Sequence, residues 1–443
     1  MIAMIRYNSS WSSAKSGLSA VQTMPHIQGL CVRKWITLFG KNKINMIKSI
    51  YIDNFKALND FTISLKPFTV LIGKNACGKS TILQAINLMS NLVKMDIEEF
   101  IKDQNWSLED LKSQLSDKKN ITFRAVIALN LHDQEKKEEI EWEFVFTPVK
   151  KENKIYIRSE KITNKTKNRL ILDVGSQGIQ RYNAEKKEKE LFPSLNLSAS
   201  FIKNIDFKEK NKYPELVGLK RFLTESDNFG LLSPEKLARN SRGKADRIGT
   251  SGENIASFIH GLTDEHKEAL NKRLKKYLSF MSKLFTKTKG KKWGWIEILA
   301  SEQFQSVSTT IKAKHLSDGI LRIIALCSLA ELTKNNSIIL LEEIENGINP
   351  HIVKILSEDL RELSENNGQQ IILTTHSSVI LDYFSEDSII LIWRDKNGRV
   401  YSSDMFKNEE IRSCLDYMYP GEIWINTDED RIIESFFKKD NEL

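Results

Sequence analysis

Apolar and polar positions alternate from Ile47 to Phe55 and again from Phe61 to Leu65, the period of half-buried strands. The run Phe68-Thr69-Val70-Leu71-Ile72 is continuous instead, as in a strand covered on both faces. From Thr81 to Met89 the apolar residues recur at helical spacing, and residues 96–115 read as helix with breaks. Residues 121–182 alternate in short runs around Phe123, Trp142, Ile155 and Leu170, parted by turns such as Lys150-Lys151-Glu152-Asn153 and Gly175-Ser176-Gln177-Gly178. That pattern predicts an antiparallel meander with one wet face. Residues 183–213 are rich in Lys and Asn, and are expected to be a solvated linker or arm. Over 251–286 the stripes Ile255, Phe258, Ile259, Leu262 and then Leu270, Leu274, Tyr277, Leu278, Met281 predict helices. Strands return at Trp295–Leu299 and 306–311, a strongly apolar helix is expected over 320–332, and buried strands at Ile338–Leu341 and Gln370–Thr374. Helix and strand alternate to about Arg394, and an amphipathic helix on Ile432, Ile433, Phe436 and Phe437 follows.

The expected class is α/β, a mixed sheet with an antiparallel β subdomain and a helical insertion. The expected organisation is a leader over 1–45, a first lobe over 46–182, a linker and helical insertion over 183–292, a second lobe over 293–403 and a helical tail over 404–443. No run of the ~18 apolar residues that a membrane helix needs is present, so no membrane association is expected. The cysteines Cys31, Cys77, Cys327 and Cys414 are scattered, which fits a reducing, cytoplasmic setting better than a disulfide framework or zinc site. Residues 1–45 hold six basic and no acidic side chains, and so supply six of the eight net positive charges. The remainder is near neutral, and charge does not indicate a general nucleic-acid surface. The leader is Ser-rich and basic like a transit peptide, but a strand opens directly after Met46, which reads as the natural start; 1–45 is expected to lie outside the fold.

Residues 73–80 read Gly73-Lys74-Asn75-Ala76-Cys77-Gly78-Lys79-Ser80, followed by Thr81, between a buried strand and a helix. That is the context in which a Gly-rich loop cradles phosphates. The two glycines let backbone N–H groups turn inward, and the helix start adds its dipole. Lys79 is placed to reach the β- and γ-phosphates of ATP, and the Ser80 hydroxyl to hold Mg²⁺. A second cluster follows the apolar strand 338–341, where Glu342 could hold the Mg²⁺ water shell and Glu343 could orient or deprotonate the attacking water. Glu342 stands where aspartate is commoner. Glu345-Asn346-Gly347-Ile348-Asn349-Pro350 reads as a turn into a helix. His376 ends the next strand and can reach a γ-phosphate. Ser317, in Leu316-Ser317-Asp318-Gly319, opens a helix whose N–H groups form a second anion site. Taken singly, the acids also suit a solvated strand end, His376 a structural role and Ser317 an ordinary cap.

The ordered set resembles the ABC-type P-loop ATPases of the recombination-repair, chromosome-structure and overcoming-lysogenization-defect (OLD) group. The resemblance covers about 46–95 and 230–395, including the strand end Asn54-Phe55-Lys56 and the segment from Leu232-Ser233-Pro234 to Gly249-Thr250-Ser251-Gly252-Glu253-Asn254. It implies an ABC-type head and a homodimer or higher homo-oligomer, with ATP between the Gly-Lys-Ser loop of one subunit and the signature of another. Ser317 and Gly319 would then contact the γ-phosphate in trans and His376 in cis. The family's glutamine-loop residue has no clear counterpart, since Gln84 and Gln104 fit poorly. The segment between Ser80 and Leu316, about 235 residues, contains no long heptad array, and about 65 residues follow His376, short for the nuclease domain of OLD proteins. Asp428-Glu429-Asp430 reads as a helix start, not a metal cluster. Stand-alone chains of this kind resemble ATPase subunits of bacterial anti-phage systems such as Septu and PARIS, which control a separate effector. The competing expectations are a repair ATPase that clamps DNA as an ATP dimer, using the cations Lys267, Lys272, Arg273, Lys275 and Lys276, and a scaffold that binds ATP without turnover.

Overall fold

The continuous apolar runs at Phe68, Ile338 and Gln370 become neighbouring parallel strands of one sheet. The computed structural model describes residues 44–131, 137–149, 154–230, 232–290, 294–305, 307–332 and 337–437. Of the leader expected over 1–45, all but Ile44 and Asn45 lies outside the described residues, as does the expected turn at 150–153. In chain order, β1 (Met46–Asp53), β2 (Phe61–Ser64) and β3 (Phe68–Ile72) precede α1 (Lys79–Asn91) and α2 (Ile97–Asp103). Next come β4 (Ile121–Leu129), β5 (Glu138–Val149), β6 (Lys154–Asn164), β7 (Arg169–Gly175), β8 (Gly178–Asn183) and β9 (Glu188–Phe192). Then follow α3 (Pro214–Thr224), β10 (Asp227–Phe229), α4 (Pro234–Leu237), β11 (Ser241–Arg242), α5 (Ile255–Gly261), α6 (Asp264–Tyr277), β12 (Met281–Lys289), β13 (Trp295–Phe304) and β14 (Val307–Lys312). The rest is α7 (Asp318–Leu329), β15 (Ile338–Leu341), α8 (Pro350–Asn367), β16 (Gln370–Thr374), α9 (Ser378–Leu381), β17 (Ile389–Arg394), β18 (Val400–Asp404), α10 (Glu409–Ser413), α11 (Pro420–Asn426) and α12 (Glu429–Phe437).

The central sheet has the order β10-β15-β16-β3-β17-β18, parallel except for β18. Its inner strands β15, β16, β3 and β17 are almost wholly apolar because both faces are covered, while the outer strands β10 and β18 carry polar residues. Leu71, Leu340, Ile372 and Ile390 turn toward a core shared with α1 and the antiparallel sheet. Val70, Ile72, Leu341, Leu373 and Leu391 turn toward a second core with α7 and α8. Each such side chain contributes about 1.5–3 kcal/mol when fully buried. This is the expected α/β head with a mixed sheet.

The expected meander is an eight-stranded antiparallel sheet, β2-β1-β4-β5-β6-β7-β8-β9. Ile140, Trp142, Phe144 and Phe146 of β5 are buried and alternate with half-buried Glu141, Glu143 and Val145, which is the one-wet-face pattern read in the sequence. Phe123 stacks on Phe144 at 5.1 Å. The sheet also takes up part of the segment expected to be a linker. Strand β9 pairs with β8, Ile202 and Ile205 are buried, and Glu160 accepts from Ser200 Oγ (2.5 Å) and the Phe201 N–H (2.7 Å) as well as from Trp142 Nε1 (2.9 Å). Burial raises the pKa of Glu160, and these three hydrogen bonds oppose the rise.

The helical expectation for 251–286 holds for α5 and α6 but fails at Met281, where β12 begins and pairs with β13. That pairing carries one small sheet, β11-β13-β12 with β14 on β13, across the boundary expected at 292/293. The helix expected over 320–332 starts earlier, with Ser317 as its cap. No described helix is long and apolar enough to cross a membrane.

Candidate nucleotide-binding site

Strand β3 ends at Ile72 and the chain turns through the Gly73–Ser80 loop into α1. Gly73 has φ +144°, and a Cβ there would lie 2.0 Å from the Ile392 carbonyl oxygen of β17, so the first loop position admits only glycine. Gly78 caps α1 at φ +115°, and no side chain caps the helix start. The first-turn N–H groups are thus free of side-chain acceptors. Ala76 is also left-handed, at φ +62°. Lys74, Asn75, Ala76 and Ser80 are exposed, Thr81 is half-buried, and Cys77, Gly78 and Lys79 are buried. The Lys79 ammonium folds back onto its own loop, donating to the carbonyls of Gly73 (2.7 Å) and Lys74 (3.0 Å).

Sheet register brings the other candidates beside this loop. Leu71 of β3 lies opposite Thr374 of β16, and Leu373 of β16 opposite Leu341 of β15, so the three strands end side by side. With strands about 4.8 Å apart, His376 follows the neighbouring strand and Glu343 the next, on the order of 10 Å from the loop strand. Glu343 has φ +46°, unusual for a non-glycine residue. Its N–H donates to the Thr374 carbonyl at 3.1 Å. Its Oε2 accepts from Asn346 Nδ2 at 2.6 Å, and its Oε1 lies 3.6 Å from His376 Nε2. Glu342 donates its N–H to the Phe229 carbonyl (3.3 Å), and its half-buried side chain lines a small cleft with Arg322, Leu326 and Leu341.

The turn after Glu343 is a hub that the sequence reading treated only as a turn. Glu345 Oε1 accepts from the N–H groups of His376 (2.7 Å) and Ser377 (3.2 Å), which fixes the loop carrying His376. The Asn346 carbonyl accepts from Arg322 Nη1 of α7 at 2.6 Å. Burial lowers the Arg322 pKa, while the charges of Asp318 and Glu343 oppose that. Gly319 packs on the same turn, where a Cβ would lie 2.3 Å from the Gly347 carbonyl oxygen. Ser317 is exposed, and its Oγ accepts from the Ile320 N–H at 3.5 Å. Glu343 and His376 are therefore brought together, the loop is set beside them by register, and Gly319 meets the turn at Gly347 while the Ser317 hydroxyl caps its own helix. No motif spacing could have singled out Glu345, Asn346 or Arg322; the signal available was one turn of helix between Gly319 and Arg322.

The remaining candidates have partners of their own. Gln84 Oε1 accepts from Lys56 Nζ (2.8 Å), whose pKa burial pushes down to about 8. On α6, Arg273 and Lys276 pair with Asp359, and Lys267 with Asp264. Among the described residues no group of His, Cys, Asp and Glu gathers as a metal site, and Asp428 accepts from the Asp430 N–H at the start of α12.

Residues 46–381 match the family model described as AAA ATPase domain. The chain belongs to the AAA ATPase domain family. It is 22% identical over 374 residues to the Old nuclease of Escherichia phage P2, a match that covers 80% of this chain and 60% of that protein. A shorter match, 38% over 55 residues, is to the OLD nuclease of Thermus scotoductus and covers 12% of this chain and 10% of that one. The chain thus spans 60% of the first relative's length and matches 10% of the second's. Among solved structures, an SMC head bound to the C-terminal winged-helix domain of ScpA is 16% identical with a TM-score of 0.46, covering 81% of this chain and 96% of that one. The family match sets the Gly73–Ser80 loop within an AAA ATPase domain, a fold that binds nucleotide.

Proposed function

We propose that this chain is an ATP-hydrolysing switch whose composite sites form between copies of the chain. The observation that carries the reading is that the Gly73–Thr81 loop, His376 and Glu343 follow the C-terminal ends of three adjacent parallel strands, with Glu343 Oε1 3.6 Å from His376 Nε2. The donor set suits a triphosphate, with a helix start that no side chain caps, an ammonium bound to the Gly73 and Lys74 carbonyls and the Cys77 sulfur of its own loop, and an exposed Ser80. In this reading Lys79 exchanges the Gly73 and Lys74 carbonyls for β- and γ-phosphate oxygens, and the loop N–H groups hold the phosphate chain. Ser80 and Glu342 would hold Mg²⁺, which supplies charge neutralisation at the transferring phosphate. Glu343 takes the proton of the attacking water at Oε1, since Oε2 is engaged by Asn346. His376 stands where it can donate to the γ-phosphate. Ser317 and Gly319, at an exposed helix start, present N–H groups to the nucleotide of a partner copy.

In this reading residues 46–192 and 281–404 act as the two ATPase lobes, with the helices over 409–437 as a tail. We further assign the switch to a cytoplasmic anti-phage complex in which a separate nuclease or toxin is the effector. The likeness to OLD nucleases supports the ATPase part of the reading, and the assignment to a defence complex rests on the resemblance to Septu- and PARIS-type ATPase subunits. The DNA-clamp reading has less support, because Arg273 and Lys276 of its helix are tied to Asp359. The test is phosphate release and nucleotide retention by the wild type and Glu343→Gln. Retained ATP with turnover slowed by about 10²–10⁴-fold is expected for loss of a general base. Wild-type turnover in Glu343→Gln refutes the site. For the complex, Lys79→Ala should abolish phage protection by the chain expressed with its neighbouring genes, and undiminished protection contradicts the assignment.

A further inference from the structure

We infer that Arg322 is a positioning residue for Glu343, acting through Asn346, and that it ties the carboxylate of one site to the helix start that meets a partner's nucleotide. The inference rests on the reading of Glu343 as the group that activates water. Three contacts of Asn346 make it the connecting residue. Its N–H donates to the Glu343 carbonyl (3.1 Å), its Nδ2 to Glu343 Oε2 (2.6 Å), and its carbonyl accepts from Arg322 Nη1 (2.6 Å). Arg322 lies one turn beyond Gly319 on α7, and Gly319 itself is packed against the Gly347 carbonyl. The helix start and the turn therefore move together, joined at two points. Glu343, in a left-handed conformation, is the residue whose side-chain direction depends on that turn.

The environment of Arg322 is costly if its role were only to fasten a helix. The guanidinium is half-buried, and its Nε is buried with no hydrogen-bond partner. An apolar side chain would fill this place without that desolvation. What an apolar side chain could not do is hold the Asn346 carbonyl, and with it the amide that orients Glu343.

The test uses the full chain and compares steady-state ATPase with equilibrium ATP binding. Arg322→Ala and Asn346→Ala should each lower kcat by about tenfold or more while leaving the ATP Kd within about twofold, the split expected when an interaction acts only in the transition state. Arg322→Lys should recover part of the rate and keeps the test open should Arg322→Ala fold poorly. In the Glu343→Gln background, Arg322→Ala should have almost no further effect, because residues acting through one another are not additive. Arg322→Ala with wild-type kcat overturns the inference, as does a loss of the same size in both backgrounds. If Glu343→Gln itself turns over at the wild-type rate, the reading of Glu343 fails and the inference falls with it.

Discussion

Replacing Lys79 by alanine probes the loop where its geometry is best defined. The side chain is 6% exposed, and its ammonium donates to Gly73 and Lys74 carbonyls at 2.7 and 3.0 Å. On binding ATP it would exchange two neutral acceptors for two phosphate oxygens. Its bonds to the carbonyls already have one charged partner, and pairing with phosphate makes both partners charged, a step of about 1–1.5 kcal/mol per bond if it equals that from neutral to singly charged pairs. The exchange is thus worth roughly 2–3 kcal/mol over two bonds, or about 30- to 150-fold in Kd. The variant no longer gives up the carbonyl bonds, so the loss stays in this range and does not reach the full worth of two charged contacts. The carbonyl of exposed Lys74 can turn to water, but Gly73 is buried, so its freed carbonyl should cost about 1–3 kcal/mol of stability. Titration with a fluorescent ATP analogue, alongside a denaturant melt, separates the two effects. Equal affinity in a folded Lys79→Ala protein would refute the placement of phosphate at this loop.

Two further outcomes follow from packing and charge. Gly73→Ala should cost about 1–3 kcal/mol in a denaturant titration, since its Cβ would meet a β17 carbonyl at 2.0 Å and its φ is +144°; an unchanged midpoint would contradict the close approach of β3 and β17. Burial works against the Glu190 carboxylate, but hydrogen bonds from Asn183, Tyr213 and Arg181 outweigh it and hold its pKa down to about 2. A depressed folded pKa means stability that is present above about 4.5 and lost as pH falls toward about 2, so Glu190→Gln should flatten the acid limb of a stability profile.

What was legible in the sequence was what local chemistry dictates. A loop with glycines at positive φ and strands covered on both faces announce themselves as fixed residue types and unbroken apolar runs, which is why Gly73–Ser80, β3, β15 and β16 stand where the reading put them. The misses have physical causes. Met281 and Leu284 are spaced three apart, which suits a helix as well as the β12 strand they begin. Strand β9 is exposed except at half-buried Glu190, so its apolar residues show no alternation. Strand β10 is only three residues long and joins the central sheet through β15, more than a hundred residues away. The approach of His376 to Glu343, and of Arg322 to Asn346, depends on such long-range register and on helix packing, to which no spacing rule refers.

The composite site is the claim on which the switch depends, and mass tests it directly. Light scattering of the full-length Glu343→Gln protein, with and without ATP and Mg²⁺, should show a doubling on adding nucleotide, as subunits close over ATP through the Gly73–Thr81 loop and Ser317–Gly319. A mass that does not change while ATP is demonstrably bound would contradict the account, and would leave a site complete within one chain or an assembly formed without nucleotide.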